Sequence, residues 1–407
     1  MMAKQKIAYV SQLVYPHSSA NALQAIQMAD GFSRNVDTTF FIRGLTLHES
    51  KLREMHRIPP APLRISPAYF NLLPSFAQKW YGSFLGMLFG VHPVWRRNRQ
   101  QNILFVRRPV DLLFWGAARN RYHWLRDWFF IFEAHDIAGL PPEAAFEDNP
   151  FESKSEGAGG ERQELLRALC AFDLIVTVTQ ALAENLEKWS RGKIKPVVIR
   201  HASSLPRVES CPDVKLKKDS IIIGYIGTID QYRGVDILIR SVAHLPEGYR
   251  LRLVGRVEQD DRGHPAPWFQ ELINDSRIGP RIEIVGRVPV GQVTEQIDRC
   301  DILIQTASSD IIDSRYASPL KSYDYMVRGK PVAVADVPVH RELFQNEING
   351  LFYQYDDPRH LARAIMRLVE DPPLAKRIAQ NAWEQSADYN YDRRAQAILA
   401  QVTERLH

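Results

Sequence analysis

The stretch Ser318–Ala335, SPLKSYDYMVRGKPVAVA, decides how the chain is read. Its punctuation spells a short helix running into a buried strand. Ser318 is placed to cap the first turn, and Pro319 takes the first helical position, where a missing N–H costs nothing. Gly329 suits the left-handed position just past the helix end, and Pro331 stops the helix before Val332–Ala335 extends as a strand. Lys321 and Asp324 lie three residues apart and share one face of that helix. The free N–H groups of the first turn, the helix dipole and the Lys321 ammonium together make a site for an anion such as a diphosphate. One turn further on, Asp324 offers two acceptor oxygens, the arrangement that grips vicinal ribose hydroxyls. The same residues also read as a surface ion pair on an ordinary capped helix, because charge pairs at this spacing are common.

Outward from that stretch the pattern is α/β throughout. Ser220–Gly227, SIIIGYIG, reads as a buried strand and echoes Lys6–Val10, the strongest internal echo in the chain. Each opens a strand–loop–helix–strand run, the start of a doubly wound domain whose ligands sit at the carboxyl ends of its strands. In the first half, a loop from Gln12 leads to a helix over 22–32 and a strand over 38–42; further strands read at 103–106, 129–134 and 174–178. In the second half they read at 251–255, 282–286, 302–305 and 332–335. At 407 residues the chain is too long for one ordinary core. We divide it into a first domain over 1–202, a proline-containing linker over 203–218, a second domain over 219–385, and a terminal helical segment over 386–407.

Composition narrows the function. A hydrophobic share of 45% with 24% charged residues is that of a folded chain. Cys170, Cys211 and Cys300 are odd in number and have no metal-ligand spacing, which reads as reduced thiols. The start, MMAKQKIAYVSQ, enters a strand with no apolar signal-like region, and no uncharged run approaches the ~20 residues of a membrane span. A cytoplasmic protein is therefore expected. Net charge is +5, unevenly placed: Arg96, Arg97, Arg99, Arg107, Arg108, Arg119, Arg121 and Arg126 face only Asp111 and Asp127 in their segment. Just before them runs the aromatic stretch FNLLPSFAQKWYGSFLGMLFGVHPVW. Apolar residues beside arginines suit an interfacial membrane helix, so the segment 70–126 is a candidate peripheral membrane contact on the inner face. A core helix followed by a solvated basic loop fits the same residues.

The sequence SPLKSYDYMVRGKPVAVADVPVHRE resembles the C-terminal signature of the retaining glycosyltransferases of family 4, which have the two-domain GT-B fold. The resemblance implies two Rossmann-like domains facing across a cleft, with the C-terminal helix crossing back to the first. It implies no cofactor: a nucleoside-diphosphate sugar is the co-substrate and a glycan or lipid-linked molecule the acceptor. Asp324 stands where the family has a ribose-binding glutamate, and Ser318, Pro319 and Leu320 would line the donor. The family's second acid falls at Tyr316, so Asp313 or Asp310 is the candidate for the sugar contact. Ser18, Ser19 and Asn21 occupy the loop where the family carries two glycines near the donor phosphate. FEAHDIAG resembles the family's histidine at a strand end, which would set His135 beside the transferred sugar. GTIDQYRGVD resembles its strand–loop–basic–Gly element: Gly227 and Thr228 would lie against the donor, and Arg233 would reach the diphosphate. An arginine just ahead of a helix is mildly disfavoured by the dipole, which argues for an anion there. The backbone near Val288 would face the nucleobase.

The chemistry implied is transfer of a glycosyl group to an acceptor hydroxyl with retention. His135, Arg233 and Lys321 are the candidate catalytic residues, in glycan, polysaccharide or glycolipid synthesis. No Asp-x-Asp pair is suitably placed for a metal, so metal independence is expected. Three rival readings compete. A dinucleotide oxidoreductase needs G-x-G-x-x-G after its first strand, and neither Val10–Asn21 nor Gly224–Gly234 has it. A basic nucleic-acid-binding protein would interleave its arginines with a recognisable motif, which is missing. A GT-B partner subunit without activity is supported by Tyr316 and the missing glycines.

Overall fold

A computed structural model of the chain describes residues 5–15, 20–45, 48–56, 58, 62–67, 101–135, 158–217, 219–260, 262–307 and 311–406. Contacts divide it into two compact units, Met1–Ser204 with Tyr391–His407, and Leu205–Asn390. The division falls at the head of the expected linker, whose remainder sides with the second unit: the Val208 N–H donates to Val327 O at 3.0 Å.

Among the described residues the first unit holds a parallel sheet of seven strands: β1 Gln5–Tyr15, β2 Asp37–Leu45, β3 Arg64–Pro67, β4 Gln101–Val106, β5 Phe129–Ala134, β6 Leu174–Thr177 and β7 Val197–Val198. Their order is β3-β2-β1-β4-β5-β6-β7, so the winding reverses between β1 and β4. The expected loop from Gln12 is corrected: β1 runs on to Tyr15, with a register shift against β2 between Ser11 and Val14. The continued pairing with Gly44 and Leu45 holds the backbone extended, and the shift absorbs the mismatch. Burial explains why β5 is a strand end to end: none of its residues is left exposed, and a strand covered on both faces is a run of large apolar side chains. The helix Tyr391–Leu406 lies on the helix Ala20–Ser33. Ala395, Ile398 and Val402, spaced for one helical face, are fully buried there. Gly31 permits the approach, since a Cβ at that position would stand 2.4 Å from Tyr391 O.

The second unit repeats the plan among its described residues with six parallel strands: β8 Ile221–Ile226, β9 Tyr249–Val254, β10 Ile282–Gly286, β11 Ile302–Gln305, β12 Val332–Ala335 and β13 Leu351–Tyr353. The order β10-β9-β8-β11-β12-β13 reverses between β8 and β11. Ile221, Ile223, Leu251, Ile302 and Val332 are buried, each contributing about 1.5–3 kcal/mol of transfer free energy.

The helix after Ser318 begins one residue later than its sequence suggests. It spans Leu320–Val327, and Pro319 is the capping residue with φ −78° and ψ 77°. That ψ keeps the peptide ahead of Leu320 out of the helix, so Ser318 stands too far back to cap. Its carbonyl instead accepts from Leu320 N at 2.9 Å, and its hydroxyl lies 3.5 Å from Tyr323 Oη. The far end follows expectation: Gly329 has φ 63°, and a Cβ there would meet Pro212 Cδ at 2.7 Å.

Candidate active site

Each unit gathers polar side chains at the carboxyl ends of its strands, beside the place where the winding reverses. In a parallel sheet this is where crossover helices leave the strand ends uncovered.

In the first unit the gathering point is Glu133, the penultimate residue of β5 and fully buried. Arg107 follows β4 directly and places Nε 2.9 Å from Glu133 Oε1. Arg394, from the terminal helix, places Nη1 2.6 Å from Oε2. Both guanidiniums are buried at 6% and 4% exposure. Arg107 also donates to Gln24 Oε1 at 2.8 Å, and Arg394 to the carbonyls of Arg200 at 2.8 Å and Ile199 at 3.2 Å. Burial alone would raise the Glu133 carboxyl, but Arg394 and Arg107 outweigh it and hold it well below the ordinary carboxylate range. His135 sits at the rim with 23% of its side chain exposed, its Nε2 2.5 Å from Glu133 Oε1. Burial and the neighbouring Arg107 push its pKa down to about 4, so the imidazole is neutral near pH 7. The ring of His201 stacks on it at 4.7 Å and 25°.

In the second unit the centre is Lys321. Its side chain crosses Gly227 and ends on Tyr225, with Nζ donating to Tyr225 Oη at 2.9 Å and standing 4.4 Å from the ring centre. Gly227 is what makes room. Its φ is +154°, and a Cβ there would stand 2.7 Å from Lys321 Cε. Tyr225 is fixed in turn, donating to Thr228 O at 2.9 Å. The helix carrying Lys321 is pinned from beneath: Ser322 Oγ donates to Gln305 Oε1 at 3.0 Å, and Gln305 Nε2 reaches His340 Nε2 at 3.2 Å. His340 Nδ1 donates to Ala335 O at 2.7 Å, and burial holds this imidazole neutral with a pKa of about 4.

The structure thus brings Lys321, Gly227 and Thr228 into one assembly. Leu320, Pro319 and Ser318 lead into the same helix, half-buried, with Asp324 one turn beyond Lys321. Val288 follows β10, half-buried. At Arg233 the dipole argument for a bound anion loses its force. Its Nη1 pairs with Asp230, whose Oδ1 also accepts the Arg233 backbone N–H at 2.9 Å. The counter-charge that the sequence assigned to a bound anion is therefore supplied by Asp230, and 43% of the arginine side chain remains exposed. Ser18, Ser19 and Asp310 lie outside the described residues, as do 70–100 of the candidate membrane segment; the side chains of Asn21 and Asp313 are likewise outside them. Tyr316, where the family has an acid, is buried. Sequence reasoning missed Arg107, Arg394 and His201. Among the described residues no group of three His, Cys, Asp or Glu side chains is arranged to hold a metal, and no helix is long and apolar enough to cross a membrane.

Residues 209–385 match the family model described as Glycosyl transferases group 1. D-inositol 3-phosphate glycosyltransferase of Stackebrandtia nassauensis is 25% identical over 283 residues, covering 66% of this chain and 61% of that protein. The chain spans between 41% and 65% of the length of the curated relatives it matches. Among solved structures, Anabaena HepE in complex with UDP and glucose superposes with a TM-score of 0.67 at 18% identity, covering 98% of this chain and 99% of that one. Sucrose-phosphate synthase from Thermosynechococcus elongatus gives 0.69 at 16%, covering 99% of each. By fold the chain is a GT-B protein of two Rossmann-like α/β domains, and its residues 209–385 are similar to the group 1 glycosyl transferases.

Proposed function

We propose that the protein is a glycosyltransferase that moves a sugar from a nucleoside-diphosphate sugar to an acceptor hydroxyl, retaining the anomeric configuration and needing no metal. The observation that carries the reading is Lys321, a half-exposed amine held over a glycine at the carboxyl end of β8. The match over residues 209–385 supports the reaction class, and the UDP and glucose bound to Anabaena HepE support the donor class. The demand of the reaction is to stabilise negative charge growing on the departing diphosphate while the sugar becomes cationic. A preset cation is worth several kcal/mol there because it needs no reorganisation as the charge develops. Lys321 is so preset, and Arg233 is held at its post by Asp230. Asp324 contributes by positioning the nucleotide, and Asp313 by holding the sugar. The neutral His135 lies beside the transferred sugar. Glycans or lipid-linked saccharides are the acceptors, reached from the cytoplasm, with segment 70–126 against the membrane.

The test is nucleotide release from UDP-, GDP- and dTDP-sugars with a mixed acceptor extract, using Lys321→Ala as control. Release by the wild type that Lys321→Ala lowers by roughly 100-fold supports the assignment. Equal release by both overturns it.

A further inference from the structure

The cluster around Glu133 contains one member that the proposed reaction leaves unused. His201 follows β7, is 3% exposed, and places Nε2 3.0 Å from His135 Nδ1. Its other nitrogen, Nδ1, is buried without a hydrogen-bond partner among the described residues. These contacts constrain where the protons sit. A carboxylate only accepts, so at 2.5 Å from Glu133 Oε1 the His135 Nε2 carries the proton. His135 Nδ1 is then a bare lone pair and takes its hydrogen bond from His201 Nε2–H. That leaves His201 Nδ1 as an unpaired acceptor. The reverse arrangement would let His135 Nε2 accept from Arg107 Nε at 2.8 Å and Nη2 at 2.6 Å, but these N–H groups already have acceptors in Glu133 Oε1 at 2.9 Å and Gln24 Oε1 at 2.8 Å. It would also set a lone pair against the carboxylate and bury an N–H of His201 with no acceptor, and orphaned buried donors are rarer in proteins than orphaned acceptors.

We propose that His201 is a positioning residue that holds His135 as its Nε2–H tautomer, with both ring nitrogens engaged inward and the ring edge turned to the ligand. The chain of bonds runs Glu133 carboxylate, His135, His201. Arg107 and Arg394 press on its first member from either side, so a further proton on either ring would add a cation to a buried group already holding two. Holding the ring this way presents a fixed, neutral surface rather than a general base. The consequence for turnover rests on the proposed transferase reading; the tautomer itself does not.

The test uses the full-length protein with 15N-labelled histidine, the two rings being assigned through His135→Asn and His201→Phe. Long-range 1H–15N spectra between pH 5.5 and 8 should show His135 neutral, protonated at Nε2 and bare at Nδ1. His201→Phe keeps the stacked ring but removes the donor, and should leave His135 as a mixture of tautomers. His201→Gln returns an N–H donor and should restore the wild-type pattern, and it also serves if the Phe variant folds poorly. Finding His135 protonated at Nδ1 in the wild type, or unchanged in both variants, overturns the assignment. In nucleotide release the Phe variant should lose roughly 10- to 100-fold in kcat at nearly constant KM, the range seen when the partner orienting a metal-bound histidine is removed. A wild type that releases no nucleotide yet shows the expected tautomer refutes the transferase reading and leaves the role of His201 standing.

Discussion

Replacing Gly227 by alanine tests the Lys321 assembly without touching a charged group. Two effects follow from the geometry, and they separate. The first is backbone strain: φ is +154° at Gly227, a value side-chain-bearing residues rarely adopt, and holding alanine there costs about 1–3 kcal/mol. The second is contact. The new Cβ would lie 2.7 Å from Lys321 Cε, about 1 Å inside ordinary carbon–carbon contact. Lys321 is a flexible arm, so it swings away, and the clash adds little to the stability loss. What moves is the amine, off its 2.9 Å bond to Tyr225 Oη. A displacement of about 1 Å in a positioned group costs on the order of 100-fold in rate.

Gly227→Ala should therefore melt a few degrees early and turn over about 100-fold more slowly, with nucleotide release as the assay. The decisive measurement is the cycle with Lys321→Ala. If the alanine acts through the lysine, the double variant is no slower than Lys321→Ala alone. A double variant that loses the product of both effects, or a Gly227→Ala enzyme within about twofold of wild type, refutes the account.

Three other perturbations follow. Glu133→Gln strands two buried guanidiniums without their carboxylate and should cost about 3–5 kcal/mol in urea unfolding. Arg394→Met removes the bonds to Glu133 and to the carbonyls of Ile199 and Arg200, so amide exchange in Tyr391–Leu406 should accelerate relative to the rest of the first unit. His340 supplies a pH signature: its folded pKa of about 4 lies below the unfolded 6.5. Between those values the unfolded chain binds a proton the folded one does not, so stability is complete above pH 6.5 and is lost as pH falls towards 4. The loss amounts to on the order of 3 kcal/mol in all, and in stepwise urea titrations His340→Gln should flatten that slope.

How much of this was legible in the sequence depended on the range of the interaction. Local readings held where burial and backbone geometry agree: Val332–Ala335 is a strand with the expected bounds, and Gly329 takes the left-handed turn. The partner of Arg233 stands three residues earlier, at Asp230, and was open to view in the sequence DQYR. The resemblance, which gives the guanidinium to a phosphate, draws the eye away from it. Ser318 failed as a cap because the ψ of Pro319, which no propensity scale supplies, set the helix start. Arg107 was counted among surface arginines, since charge does not reveal burial; only its place directly after β4 hinted otherwise. Arg394 could not have been found, its carboxylate partner lying 261 residues away. His201 stands two residues ahead of the linker, and nothing in HASSLP distinguishes a stacked imidazole from a solvated one.

The two clusters, one in each unit, differ in how firmly they hold their cations. In the first unit two buried guanidiniums share one buried carboxylate, and removing either side leaves a bare charge in a medium of low polarity. Such a cluster does not rearrange for an arriving anion: every broken link costs more than a rim contact returns. Lys321 is held quite otherwise, by one hydrogen bond to a phenol and by the face of the same ring. A partly exposed cation–π contact is worth only about 0.5–1 kcal/mol, and charge-assisted bonds to a phosphate are roughly twice as strong as neutral ones. In the proposed reading an anion at the end of β8 meets the amine where Tyr225 holds it, while the Glu133 cluster keeps its geometry.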